Sequence, residues 1–196
     1  MKRTCFWIAF ALCVLNASAY AKESKEQTGK EMKPALLVID IQNEYLPYMA
    51  EKEKDIALRV INGAIVLFRE NGFPIIRVYH TDPQYGPKPD TEAFEFPSSI
   101  FIEDTDPKII KNYPSAFTKT DLEKTLDDLE CNTLFLCGLS AVGCVLATYH
   151  GAVDRDFKVF MIKDGLMSHN STYTDVIEDI SNTINYTTLK FMLEYR

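Results

Sequence analysis

The run Ala35-Leu36-Leu37-Val38-Ile39 constrains the fold of this chain more than any other segment, because consecutive apolar residues ending at Asp40 leave no polar face for solvent. Such a run suits a strand of a parallel sheet covered on both faces. Helical spacing of Ile56, Val60, Ile61, Ala64, Ile65, Leu67 and Phe68 then predicts a helix over residues 52–71, closed by Gly72. Residues 74–79 form a second strand, and Ile109-Ile110 a short third. Thr120-Asp121-Leu122-Glu123 has the pattern of a capping box opening a helix that lasts to about Leu129. An apolar strand runs to Gly138, with a helix expected from Gly143 to about Asp156. A strand over 158–162, a helix over about 172–185 and a final strand and helix turn over 186–196 complete the order. Alternating strands and helices imply right-handed crossovers, and hence an α/β, doubly wound, mostly parallel sheet in a three-layer αβα arrangement.

The amino terminus reads differently. Lys2 and Arg3 precede an apolar run from Cys5 to Leu15, and Ala17-Ser18-Ala19-Tyr20-Ala21 offers small-x-small cleavage sites. This is the three-part pattern of a secretory signal peptide over 1–21, with an apolar run too short to span a bilayer. Cys13 lies inside that run rather than at the cleavage site, which disfavours a lipid-anchored form. A charged linker over 22–33 and one domain over 34–196 follow, and the expected location is secreted or periplasmic. A formal charge of -7 argues against nucleic acid and against a polybasic membrane anchor. Neither nucleic-acid binding nor stable membrane insertion is expected.

Beyond the leader the cysteines are Cys131, Cys137 and Cys144. An odd, low number in an exported protein is not a disulfide framework and leaves a thiol to explain. Cys131 and Cys137 bracket one strand, at roughly 3.3 Å per residue too far apart to bridge; a Cys137–Cys144 bridge stays open at this point. Cys144 follows a turn of small residues at the expected start of a helix. There, unpaired N–H groups and the helix dipole favour a thiolate and supply donors for an oxyanion, so a lowered thiol pKa is expected.

Ligands of parallel α/β sheets bind outside the carboxyl ends of the strands. Asp40, His80 and the turn before Cys144 all fall at such ends. An acid at the end of a buried strand is costly unless paired or functional, and a thiol nucleophile needs a proton acceptor. Lys111, just after the short strand, is the lysine expected to point inward, where it would hold Asp40 ionised. The Pro-, Asp- and Gly-rich stretch 81–107 is too long for a plain connection and is a candidate pocket wall or lid.

Three segments, Leu36-Leu37-Val38-Ile39-Asp40-Ile41-Gln42-Asn43-Glu44-Tyr45, Lys111 followed by Ser115-Ala116-Phe117, and Cys137-Gly138 leading into Cys144-Val145 and Ala147-Thr148, resemble in order and separation the signature segments of the isochorismatase-like cysteine hydrolases. The resemblance implies a doubly wound sheet and an Asp-Lys-Cys triad carried by Asp40, Lys111 and Cys144. In such enzymes the cysteine attacks a carbonyl carbon, the aspartate carries the thiol proton to the leaving nitrogen, and the lysine stabilises the charged partners. Water then hydrolyses the thioester. The family also has a cis peptide before the cysteine, here Leu139-Ser140, with the Ser140 and Cys144 N–H groups forming the oxyanion hole. Tyr45 and Phe117 match pocket-lining positions, and His80 is placed with them as a substrate contact. Family members usually form homo-oligomers, and Val145, Leu146, Tyr149, Ala152 and Val153 give the helix after Cys144 a broad apolar set for such a contact.

There are departures from the family pattern. Metal-binding members carry an Asp-x-His and further histidines, whereas His80, His150 and His169 are scattered here, so neither metal nor other cofactor is expected. His150 stands where the family often has Arg. True isochorismatases act on a vinyl ether without a cysteine, so Cys144 points to amide-type C–N substrates. Among other classes, a dinucleotide-binding oxidoreductase is disfavoured because Gly138-Leu139-Ser140-Ala141-Val142-Gly143 lacks the central Gly of GxGxxG. A non-catalytic small-molecule-binding or thiol-redox protein using Cys137 and Cys144 is the remaining alternative, although neither role needs Asp40 and Lys111.

Overall fold

A computed structural model describes residues 31–195; the proposed signal peptide and most of the charged linker lie outside the described residues. Among these, six strands form one sheet in the order β3-β2-β1-β4-β5-β6. The strands are β1 Pro34–Ile39, β2 Ile75–His80, β3 Lys108–Lys111, β4 Thr133–Leu139, β5 Lys158–Met167 and β6 Thr183–Ile184. Every pairing is parallel. β1 and β4 are buried throughout, as the unbroken apolar runs require. Strand order reverses between β1 and β4, and crevices at such switch points are where α/β sheets hold ligands.

Helices cover both faces. α1 Glu51–Glu70 keeps Ile61, Ala64, Ile65 and Phe68 buried, with Glu51 and Glu53 favourably placed in its first turn. It packs on one face of the sheet, where the rings of Phe68 and Phe135 meet at 5.7 Å. The opposite face carries Ala35, Leu37, Ile39, Leu134 and Leu136, packed against Leu122 and Leu126 of α2 Leu122–Asp128, Ala152 of α3 Leu146–Val153 and Ile177 of α4 Ser171–Ile180. α5 Tyr186–Glu194 closes the chain, its start against α1 through the Tyr186 hydroxyl donating to the Gly63 carbonyl.

Several local expectations are corrected. No helix begins at Gly143: Ala141–Val145 form a π-type turn with Gly143 at φ -118 and ψ -105, and the α-helix starts only at Leu146. A run of small residues can turn this widely because the Ser140 carbonyl accepts from the N–H groups of both Gly143 and Val145. The capping box at Thr120 does not form. Asp121 takes the cap position without a side-chain bond; the Thr120 hydroxyl donates backward to the Ala116 carbonyl and accepts from the Leu122 N–H rather than from that of Glu123. The helix read over 172–185 stops at Ile180, and its tail becomes β6, paired with Met161 and Ile162 of β5. The final segment is helix over Tyr186–Glu194 with no strand, capped by Asn185, whose side chain accepts from the Thr188 N–H.

The stretch 81–107 is a wall rather than a free lid. Phe94 and Phe96 are buried and stack on Tyr79 with ring centroids 5.0 and 4.3 Å away. Backbone bonds from Asn43 to Glu95 and from Glu44 to Ala93 tie it to the loop after β1.

Candidate active site

Each chemical group stands at a strand end. Asp40 follows β1 at φ 54, a left-handed conformation that aspartate tolerates better than most residues. Lys111 is the last residue of β3 and His80 of β2. Cys144 lies in the π-type turn beyond β4. Parallel pairing aligns these ends, and the sequence-predicted trio converges although the residues lie far apart in the chain.

The Lys111 side chain is wholly buried and its Nζ lies 2.7 Å from Asp40 Oδ2, with Asp40 buried as well. The same Nζ is 3.0 Å from His80 Nδ1. Asp40 Oδ1 has no hydrogen-bond partner among the described residues, although the Cys144 thiol is close enough to interact with this carboxylate. One carboxylate oxygen therefore serves the ammonium, and the other is left for the thiol proton.

Electrostatics here are set by burial. Desolvation raises the Asp40 pKa, against the opposing pull of Lys111. Burial, and then the Asp40 charge, push the Cys144 thiol up to about 12, with Lys111 offsetting part of the rise. Burial and the Asp40 charge thus work against the lowered thiol pKa expected from the position of Cys144 in the turn. The α-helix that was to favour the thiolate starts two residues later, and an anionic neighbour outweighs a distant dipole.

Asp40, His80 and Cys144 offer an oxygen, a nitrogen and a sulfur within 4.8 Å of one another, a spacing that a metal could bridge. The Lys111 ammonium, however, already contacts Asp40 and His80.

Tyr45 is placed beside the trio. Its ring meets that of His80 edge-on at 6.1 Å, and burial, followed by the charges of Asp40 and Cys144, raises its hydroxyl pKa. Phe117 is not. It is buried with its ring 5.9 Å from Phe157 and the Arg155 guanidinium 4.9 Å above it. Phe157 precedes β5, so Phe117 packs toward the amino end of the sheet, on the connection returning from β3 to β4. Phe117, expected to line the pocket, is thus brought beside Phe157 and Arg155 and not beside the trio.

The Leu139-Ser140 peptide is cis, as the resemblance implied. Gln42 was missed by sequence reasoning. It is fully buried; its Nε2 donates to the His80 carbonyl at 2.9 Å and its Oε1 accepts from the His80 N–H at 2.7 Å. A polar residue just beyond Asp40 was the available signal.

Comparison with known proteins adds the family. The profile of the isochorismatase domain matches residues 34–188. The chain belongs to the isochorismatase family. An uncharacterized isochorismatase family protein of Bacillus subtilis, YddQ, is 32% identical over 153 residues, 76% of this chain and 83% of that protein. The secreted isochorismatase effector Isc1 of Verticillium dahliae is 24% identical over 142 residues, 71% of this chain and 75% of that one. Among solved structures, N-carbamoylsarcosine amidase of Thermoplasma acidophilum superposes with a TM-score of 0.68 at 25% identity, covering 79% of this chain and 95% of that one. This isochorismatase-family protein is a hydrolase with the family's α/β fold.

Proposed function

We propose that the protein is an exported cysteine hydrolase that cleaves an amide-type C–N bond of a small molecule through a thioester. The observation that carries this reading is the buried Asp40–Lys111 ion pair beside the Cys144 thiol. Cys144 Sγ attacks the substrate carbonyl carbon as its proton passes to Asp40 Oδ1. The negative charge that develops on the carbonyl oxygen is received by the Ser140 and Cys144 N–H groups. Asp40 then returns the proton to the leaving nitrogen, the C–N bond breaks and an amine or ammonia departs. Asp40 next takes a proton from water, which attacks the thioester carbonyl; the carboxylic acid is released and Cys144 regains its proton. Lys111 remains an ammonium throughout and limits the cost of a second negative charge beside Asp40. Tyr45 and His80, beside the trio, are read as substrate contacts.

The C–N specificity is supported by the amidase among the structural relatives. Export is supported by the leader pattern in the sequence and by the secreted fungal relative. Homo-oligomer formation rests on the family resemblance. The apolar set of α3 does not add to it, since Val145 and Ala152 are buried within the subunit, Leu146 and Tyr149 pack on its core, and Val153 is the exposed member.

A thiol-redox role gains no support. The three cysteines among the described residues are free, and Cys137 is fully buried in β4 with its Sγ against the Leu37 carbonyl. Ammonia release from a panel of small primary amides, ureido and carbamoyl compounds tests the proposal. Activity that Cys144→Ser abolishes, with an acyl adduct of the wild type trapped by mass spectrometry, is the expected result. Undiminished turnover by Cys144→Ser would refute it.

A further inference from the structure

An ammonium has donor protons and no acceptor, and a wholly buried Lys111 requires a partner for each of its three. Asp40 Oδ2 at 2.7 Å and His80 Nδ1 at 3.0 Å take two, with the Cys144 sulfur close by. His80 Nδ1 is therefore an acceptor. A charged imidazolium would set an N–H against the ammonium, so the ring is neutral and its proton is on Nε2.

The ring also has a fixed seat. Gln42 holds the His80 backbone through both its N–H and its carbonyl, Tyr45 stands edge-on to it, and the residue is partly exposed while Lys111 is not. The Nε2 edge is the one turned away from the ammonium.

We propose that His80 is a substrate-contacting residue locked as the neutral Nε2–H tautomer, and that it selects amides bearing a second oxygen acceptor next to the scissile carbonyl. This deepens the hydrolase reading and rests on it for the identity of the scissile bond. Simple alkyl amides leave the Nε2–H without a substrate partner, and a donor left unpaired where substrate displaces solvent is costly. The charged and titratable groups facing the ring, Lys111, Asp40, Asp82, Cys144 and Tyr45, belong to the loops and strand ends around it. Burial first, and then Lys111, lower the imidazole pKa against the pull of Asp40 and Asp82, in keeping with a neutral ring.

The test needs no turnover. Long-range proton–nitrogen NMR of the uniformly nitrogen-15-labelled mature chain reports the tautomer, with His80→Gln assigning the signal among the three histidines. A neutral Nε2–H form that does not titrate near the usual value of about 6.5 is expected. An Nδ1–H form, or ordinary titration, overturns the proposal. In the uncleaving Cys144→Ala chain, oxamate, a primary amide with an adjacent carboxylate, should shift the Nε2–H signal saturably. It should bind at least tenfold more tightly than propionamide, which lacks the second acceptor. His80→Asn, which can offer Oδ1 to Lys111 but whose shorter side chain cannot carry its Nδ2 donor out to the position of Nε2, should erase that preference. Equal affinity for the two amides, no shift with oxamate, or an unchanged preference in His80→Asn overturns the proposal. Failure of the wild type to hydrolyse any amide would instead refute the hydrolase reading and leave these binding results standing.

Discussion

Lys111 and Asp40 depend on each other more than on the rest of the fold. Removing one partner of a buried ion pair leaves an uncompensated charge, at a cost of about 3–5 kcal/mol. Lys111→Met should therefore lower the unfolding free energy by about that amount and abolish turnover. Adding Asp40→Asn should restore much of the stability and none of the activity; urea denaturation of the three variants checks this. Restored activity in the double variant would remove the pair from the mechanism. The reactivity of Cys144 follows from the same burial. Because the thiol is pushed up to about 12, its alkylation by iodoacetamide should keep rising well beyond pH 8.5, and a plateau below the free-thiol value of about 8.5 would contradict the raised thiol pKa.

At the scale of elements, the β1–β4 contact carries the site. Gly138 has φ +121, and a Cβ built there would overlap the Ile39 carbonyl and come within 2.8 Å of the Ile39 nitrogen. No flexible side chain can yield, since both obstacles are backbone. Gly138→Ala should force β1 and β4 apart where Asp40 and Cys144 meet, costing more than 2 kcal/mol, roughly the threshold of the diagnostic tail of point mutants. Loss of activity with a lowered thermal midpoint is expected. Gly72→Ala, at φ 72 with nothing within 4 Å of its Cβ, pays only the left-handed strain of about 1 kcal/mol and should leave activity intact.

Across the whole molecule, buried thiols tie stability to pH. Burial raises Cys131 to about 11 and Cys144 to about 12, above the unfolded value of about 8.5. The native chain therefore keeps protons that the unfolded chain releases as pH climbs past that value. Their stabilisation is complete below about pH 8.5 and is lost progressively toward pH 11 and 12. The urea midpoint should fall over that interval, and a midpoint flat from pH 8 to 11 would show that these thiols ionise alike in both states. Light scattering of the mature protein at micromolar concentration should give a multiple of the monomer mass, and a chelator should leave hydrolysis unchanged.

The sequence by itself determined what short-range patterning can encode. Unbroken apolar runs marked β1 and β4 as strands buried on both faces, helical spacing marked α1, strand ends marked Asp40, His80 and the turn before Cys144 as neighbours in a parallel sheet, and the family resemblance added Lys111. Local rules failed where a tertiary partner outbid them. Residues 183 and 184 leave a helix to pair with β5, and Phe117 packs beside Phe157. Only the folded chain decided the charge state of the site. A thiol pKa depends on what is excluded as well as what is near, and neither the desolvation of Cys144 nor the double grip of Gln42 on His80 leaves a periodic trace along the chain.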